Sequence, residues 1–567
     1  MSTPELIRVA RGEQPADLIL RNGRVINTLA GTVEEADVAI CGDIIAGVGG
    51  YSNGQETVDL QGAYVAPGLI DGHTHIESSM LHPARYAEAV VPHGTLTVVT
   101  DLHEIANVCG RAGLEFCMRW GRSLPLDMKF MAPSCVPATP LETSGAALDA
   151  DDIRALFAEP DVIGLGEVMN YPGVLAGARD VLDKIEAAAG RPVDGHAPGL
   201  LGHALDAYVA AGIMSDHECT SYDEAREKLH KGMHIMIREG SSEKNLEALL
   251  PLVTDLTYPR CMFVVDDRSA ADLDEEGDID HVVRKAIALG LDPVRAIQLA
   301  TINPARYFRL HDRGCICPGK RADLVTIRDL TDFAVDKVFY QGKMVAECGR
   351  PLFQPASPDA ELTDTVRTGL LDSQKLSMPH NGHEFPVIEL VPGQIITKKR
   401  YMMPSISGGA VVSDPERDIL KLVVVERHRG TGNIGKGLVK GFGLKRGALA
   451  SSVAHDSHNL IAVGTTDEDI LGALGALVKM QGGLVVFADG EVKAALPLPV
   501  AGLLSPAPLA RVLEQMRDVQ DEAQRLGTLP PAPFALLSFL ALPVIPELRL
   551  TDLGVVDVSE FRVISAA

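Results

Sequence analysis

Eight short apolar runs between residues 65 and 270, each separated from the next by a helix-like stretch, limit this 567-residue chain more than any other feature. They are "VAPGLIDGHTH", "LTVVTDLHE", "MKFMAPSC", "VIGLGEVMN", "PVDGHAP", "GIMSDHECT", "MHIMIREGS" and "CMFVVDDRS". Alternation of strand and helix calls for a parallel sheet. Eight units of this size fit a (β/α)8, TIM-like barrel. The competing open doubly wound sheet lacks support, because no G-x-G-x-x-G follows a strand.

In such a barrel the chemistry sits at the C-terminal ends of the strands. Those ends carry His73 and His75, then Asp101, His103 and Glu104, then Glu167, His196, His217, Arg238 with Glu239, and Asp266 with Asp267. His73 and His75 are one residue apart, so on a strand both imidazoles point the same way. A catalytic divalent ion takes about four ligands, one of them water. Four of these histidines, His73, His75, His196 and His217, and the carboxylates suffice for two ions bridged by a carboxylate and hydroxide. Glu167 is the natural bridge, with two oxygens to share. Imidazole and oxygen ligands without thiolate suit zinc, manganese or iron(II). Such a centre makes hydroxide near neutral pH for attack on an electrophilic carbon. Asp266 is the expected carrier of the proton from that water to the leaving group.

The flanks differ in style. Residues 18 to 64 read as short strands with turn signals at Asn22-Gly23 and Gly42-Asp43. After the eighth strand, "DPVRAIQLATINPARYF" predicts a helix ended near Asn303-Pro304. "GKRADLVTIRDL" and "DKVFYQGKMV" then return to strands. Both flanks, residues 1–66 and 306–350, are expected to complete one small β-sandwich domain beside a barrel of residues 67–305. A polar, proline-rich linker (351–385) leads to an additional C-terminal α/β domain (386–567), in which "RVLEQMRDVQDEAQRLG" is an amphipathic helix.

The net charge of −24 argues against nucleic acid or an anionic membrane as partner. Nine scattered cysteines, an odd number, point to reduced thiols, and "CICPG" has no second pair nearby to make a zinc knuckle. The start lacks a signal peptide's apolar core. "FALLSFLAL" lies between Pro533 and Pro543, is too short to span a bilayer, and reads as buried packing. A cytoplasmic protein is expected.

"PGLIDGHTHIESSM" and "INPARYFRLHDRGCICPGKRADLV" resemble the amidohydrolase superfamily. Together with "TDLHEIANV", "GLGEVMN", "IREGS", "FVVDDRS", "VKGFGLKRGALASSVAHDSHNLIAVG" and "LPLPVAGLLS", they resemble the bacterial adenine deaminases over nearly the whole chain. The resemblance implies hydrolysis of adenine to hypoxanthine and ammonia by two divalent ions, with manganese or iron the working metals. His73, His75, Glu167, His196, His217 and Asp266 match the family's metal site. Glu167 stands where many relatives use a modified lysine. Asp101 either handles a proton or hydrogen-bonds a ligand histidine. Glu77, Ser78, Glu239, Ser241 and Asp267 are candidates for reading the purine ring. In "AHDSHN", His455, Asp456 and His458, with His103 and Glu104, either hold an additional ion, cover the barrel mouth, or form a hydrogen-bonded turn. The competing activity is opening of a cyclic amide or deacylation of an amide by another binuclear enzyme of the superfamily. Size and resemblance lead us to expect a homodimer or larger assembly.

Overall fold

A computed structural model describes residues 2–358, 361–380 and 382–564. Each of the eight apolar runs contains a strand: β1 (Leu69–Thr74), β2 (Thr95–Asp101), β3 (Asp127–Ala132), β4 (Val162–Val168), β5 (Val193–Gly195), β6 (Ser215–Asp216), β7 (His234–Arg238) and β8 (Cys261–Val264). Strands β1 to β5 are parallel neighbours in chain order, and so are β6 to β8. The Met214 N–H donates to the Val193 carbonyl at 2.9 Å, joining β5 to β6. The Asp266 N–H donates to the His73 carbonyl at 2.9 Å, and Thr74 bridges Asp266, joining β8 back to β1. The sheet is therefore a closed (β/α)8 barrel.

Period-two alternation separates its interior from its chemistry. Val99, Met131, Met236, Met262 and Val264 form one buried cluster with Tyr307 and Phe308. Val99, Met236 and Val264 each precede a polar strand-end residue (Asp101, Arg238, Asp266) by two positions, so apolar and polar side chains share a face. The barrel is plugged with apolar side chains below and left polar at the mouth.

Strands from both flanks join in one nine-stranded sheet. Gly42-Asp43 makes the expected turn between Thr32–Cys41 and Ile44–Gly49. Asn22-Gly23 does not. It lies inside one long strand, Ala16–Asn27, whose register shifts between Leu20 and Gly23, with Asn22 at φ 56°. Before this bulge the strand pairs with Gly54–Asp59, and after it with Tyr64–Val65. A bulge redirects a strand without ending it. The predicted end of a helix near Asn303-Pro304 is also corrected. Two helices form, Pro293–Leu299 and Ile302–Tyr307, and Asn303-Pro304 lies in the first turn of the second. Proline's missing N–H has no helical partner to lose there. Asn303 Nδ2 donates to the Tyr258 and Cys261 carbonyls at 2.7 and 2.8 Å, tying that helix to the start of β8.

The C-terminal region holds an eight-stranded sheet and a three-stranded one. The first packs with helices Asp467–Met480 and Leu509–Gln524, the latter being the predicted amphipathic helix. "FALLSFLAL" starts as the helix Pro533–Phe539, with Leu537 and Leu540 fully buried. All nine cysteines are free thiols. Among the described residues no helix is long and apolar enough to cross a membrane. This region grips the barrel near its mouth. Asp552 accepts from the Thr143 N–H and hydroxyl at 2.8 and 2.6 Å. The Ser505 N–H donates to the Met80 carbonyl at 2.8 Å, and the His82 N–H donates to the Ser505 carbonyl at 3.0 Å.

Candidate metal centre

His73 lies within β1, and His75 follows the strand's last residue. His75 Nδ1 donates to the Asp101 carbonyl at 2.8 Å. That bond fixes the tautomer and leaves the Nε2 lone pair free for a metal. Nε2 stands 3.2 Å from Glu167 Oε1 and 3.1 Å from Asp266 Oδ1. His73 Nε2 lies 3.3 Å from Asp266 Oδ1, yet neither ring nitrogen of this buried residue makes a hydrogen bond. Its ring stacks on that of His217, centroids 4.3 Å apart. Asp266 follows β8 in the left-handed region (φ 61°), which turns its carboxylate out of the strand's course.

Glu167, in β4, divides its oxygens between two groups. Oε1 faces His75 and, at 3.6 Å, His103 Nδ1. Oε2 faces His196 Nδ1 at 2.6 Å and His217 Nε2 at 3.3 Å. The structure thus brings His73, His75, Asp266, His196 and His217 around one shared carboxylate.

The electrostatics call for positive charge here. Burial disfavours a charged His75, but Asp266 and Glu167 outweigh that and hold its pKa well above the usual value. Burial opposes ionisation of Glu167 too, yet His196 and His217 pull its carboxyl well below the usual range. Asp266 is likewise held low against burial, chiefly by Arg238, with His73 and His75 adding to it. Imidazole lone pairs and carboxylate oxygens that converge out of water need cations between them. The donor set, with its unpartnered His73 nitrogens and the His75 tautomer, fits divalent ions.

The other predicted residues are placed as follows. Asp101 ends β2, and its Oδ2 accepts the Glu167 N–H at 3.0 Å. Its Oδ1 is unpartnered, 3.7 Å from His103 Nδ1. It is the peptide carbonyl of Asp101, not its carboxylate, that orients His75. Glu77 Oε1 accepts the Ile105 N–H at 3.2 Å, while its buried Oε2 has no partner. Burial, then the charge of Glu104, pushes the Glu77 carboxyl up to about 8. The Ser78 hydroxyl donates to Asp267. The side chains of Glu239 and Ser241 are engaged elsewhere. Glu239 binds Lys285 and the Leu246 N–H, and Ser241 binds Asp272 and the Ser269 N–H. His103 and Glu104 open the helix His103–Cys109 and meet His455, Asp456 and His458 from the C-terminal region.

Glu218, absent from the sequence reading, and Arg238, named there only as a strand-end residue, also belong to this site. Glu218 Oε1 lies 3.4 Å from His217 Nε2 and 3.8 Å from His196 Nδ1. Arg238 binds Glu218 and, at 2.7 Å, Asp266 Oδ2. "DHECT" and "IREGS" display both side chains, but their pairing is a tertiary fact.

The amidohydrolase family model matches residues 64–345, and that of the adenine deaminase C-terminal domain matches residues 394–562. The barrel and the cluster at its mouth are those of a metal-dependent hydrolase of the amidohydrolase type. The chain is 56% identical over 561 residues to an adenine deaminase of Dehalococcoides mccartyi, a match spanning 99% of this chain and 98% of that one. It is 50% identical over 563 residues to adenine deaminase 2 of Carboxydothermus hydrogenoformans, again spanning 99% and 98%. Identity to the adenine deaminase of Methanothrix thermoacetophila is 47% over 564 residues, 99% of each chain. The chain belongs to the adenine deaminase family.

Proposed function

We infer that this chain catalyses the hydrolysis of adenine to hypoxanthine and ammonia, as a purine-salvage enzyme. The observation that carries this is the likeness to adenine deaminases from end to end, at 56% identity over 99% of the chain. A shared barrel alone would leave the substrate open. Cytoplasmic location and a homodimer or larger assembly are what the family resemblance implies.

His73, His75, Glu167, His196, His217 and Asp266 would hold two divalent ions, manganese or iron(II), with zinc as the alternative. When bound, the ions supply a water acidic enough to ionise near neutral pH and an electrophile for the substrate's ring. Asp266 accepts a proton during attack at C6 and returns it to the departing amine. Arg238, 2.7 Å from its Oδ2, favours the ionised, proton-accepting form at rest. Asp101 and His103, 3.7 Å apart beside Glu167, form a second pair able to hold a proton. Glu77, Ser78 and Asp267 offer the donors and acceptors that the ring nitrogens require. The products balance: water supplies the oxygen and both hydrogens, and ammonia carries away the exocyclic nitrogen.

The test is ammonia release from adenine by the purified protein as isolated, after chelation, and after return of manganese, iron(II) or zinc. Metal-restored ammonia and hypoxanthine are expected. No turnover with any metal, in protein binding two ions per chain, would overturn adenine as substrate and send the work to a panel of cyclic amides.

A further inference from the structure

The segment 454–459 belongs to the C-terminal region but sits against the barrel mouth. The region's own residues fix its backbone. Arg427 donates through Nε to the His458 carbonyl, and its N–H donates to Asn459 Oδ1 at 3.2 Å. His428 Nε2 donates to the Ser457 carbonyl at 2.7 Å. The His455 N–H donates to the Ser538 hydroxyl at 3.3 Å, and the His455 ring stacks on Phe539, centroids 4.9 Å apart. On the barrel side, Asn459 Nδ2 donates to the Thr143 carbonyl at 2.9 Å.

So held, the segment faces His103 and Glu104, which open the helix after β2. His455 Nδ1 stands 2.6 Å from Glu104 Oε1. Asp456 Oδ1 stands 4.0 Å from His103 Nε2, and its other oxygen is buried without a partner. The opposite nitrogen of His103 lies 3.6 Å from Glu167 Oε1. One imidazole thus lies between a C-terminal carboxylate and the carboxylate shared by the candidate metal ligands, beyond hydrogen-bond distance of either, with its Nδ1 unpartnered.

Glu104, His455 and His458 bring potential ligand atoms within 4.8 Å of one another, which raises the question of a third ion. Hydrogen bonding argues against it. His458 Nδ1 accepts the Ala454 N–H at 3.1 Å, so in neutral imidazole the proton sits on Nε2. That Nε2–H points toward Glu104 Oε2, 4.0 Å away, and has no lone pair to give a metal.

We propose that His455 and Asp456 are positioning residues of the active site, supplied by the C-terminal region: His455 fixes Glu104, Asp456 faces His103, and together they hold His103 Nδ1 against Glu167. The proposal rests on Glu167 being the shared metal ligand. The C-terminal region is then a working part of the catalytic centre, acting through the residues after β2.

The experiment uses the full-length, manganese-loaded protein and the variants Asp456→Asn, His455→Gln, His103→Gln and Asp456→Asn/His103→Gln. Outer partners of metal ligands typically change metal affinity or activity by about 10–100-fold. Asp456→Asn and His455→Gln are expected to lower kcat by about that factor and to speed manganese loss to a chelator, with the thermal midpoint of Asp456→Asn near wild type. In the His103→Gln background, Asp456→Asn is expected to add nothing further, because it acts through that ring. Full additivity in this cycle would overturn the proposal. So would wild-type kcat and metal retention in both single variants. If His103→Gln does not fold, metal retention by the two single variants decides alone. A third tightly bound ion in the wild type, lost in His455→Gln, would replace the proposal with a metal site. Coupled metal retention without turnover of adenine would refute the substrate and leave the positioning role intact.

Discussion

Lys228 is fully buried, and its replacement by methionine tests whether the two strand ends that carry His196 and His217 are stapled by charge. Its Nζ donates to the Ala197 carbonyl at 2.7 Å, to Asp216 at 3.0 Å and to Glu224 at 2.7 Å. Ala197 follows His196 and Asp216 precedes His217, and Asp216 Oδ1 also accepts the Ala197 N–H at 2.9 Å. Lys228→Met keeps most of the side-chain length and removes the charge. It leaves Asp216, which is fully buried, without its nearest cation. Removing one partner of a buried pair costs about 3–5 kcal/mol, against a total stability of about 5–15 kcal/mol. At roughly 2–4 °C per kcal/mol for a domain of barrel size, the melting point should fall by roughly 6–20 °C. Freed strand ends should also hold metal less well. The assay is calorimetric melting, with metal per chain measured after gel filtration. In Asp216→Asn/Lys228→Met no carboxylate is stranded at position 216, so about half of the lost stability should return. A Lys228→Met protein that melts within about 2 °C of wild type and keeps its full metal complement would refute the reasoning.

Three further outcomes are expected. Burial disfavours a charged His455, but Glu104 outweighs it and raises its pKa to about 9. A raised histidine pKa gives stability that is complete below about pH 6.5 and is lost as pH rises through about 9, here about 3 kcal/mol. The gap between wild type and His455→Ala in urea midpoints should therefore shrink between about pH 6.5 and 10, and a constant gap would contradict it. Arg238→Met removes the cation that holds Asp266 ionised, so the acid limb of kcat/KM should move up by about 1–3 pH units; an unmoved limb would show that Arg238 does not set that proton. A Cβ at Gly166 would overlap Asp101 Oδ2, the oxygen that accepts the Glu167 N–H, whereas one at Gly475 meets open space on a helix. Gly166→Ala should cost about 1–3 kcal/mol and most of the activity, while Gly475→Ala should gain up to about 1 kcal/mol, both read from denaturant midpoints.

The parts of this site that were legible in the chain are those set by local periodicity. A strand carries its face in a two-residue repeat, so an apolar run ending in His, Glu or Asp announces both the strand and the mouth of the barrel. That suffices for His73, His75, Glu167, His196, His217 and Asp266, which the fold brings around one carboxylate. The same local reading misjudged Asn22-Gly23. A left-handed Asn before Gly serves a hairpin turn and a bulge alike, and only the partners of Ala16–Asn27 decide between them. Pro304 by local pattern alone is a terminator, because a proline in a first turn is tolerated only once the preceding turn has broken.

What local pattern could not show is what each charge faces. Lys228 lies in "DEAREKLHKG", whose composition is that of a solvated helix, yet it is sealed between two strand ends. Glu218 sits beside His217 and Arg238 ends a strand 20 positions later, and nothing local shows that the two pair. The segment 454–459 meets the barrel across a separation such as the 316 residues between Asn459 and Thr143. No repeat in the chain encodes that contact; it arises where the barrel and the C-terminal sheet, whose buried cores are continuous, present complementary loops. Buried charge is costly unless paired, so each such residue has a partner that can be sought by geometry. The interdomain pair of His455 and Glu104 follows from that rule. A charged group held out of water at an interface fixes how the two parts dock, and its partner is the residue whose environment the docking controls.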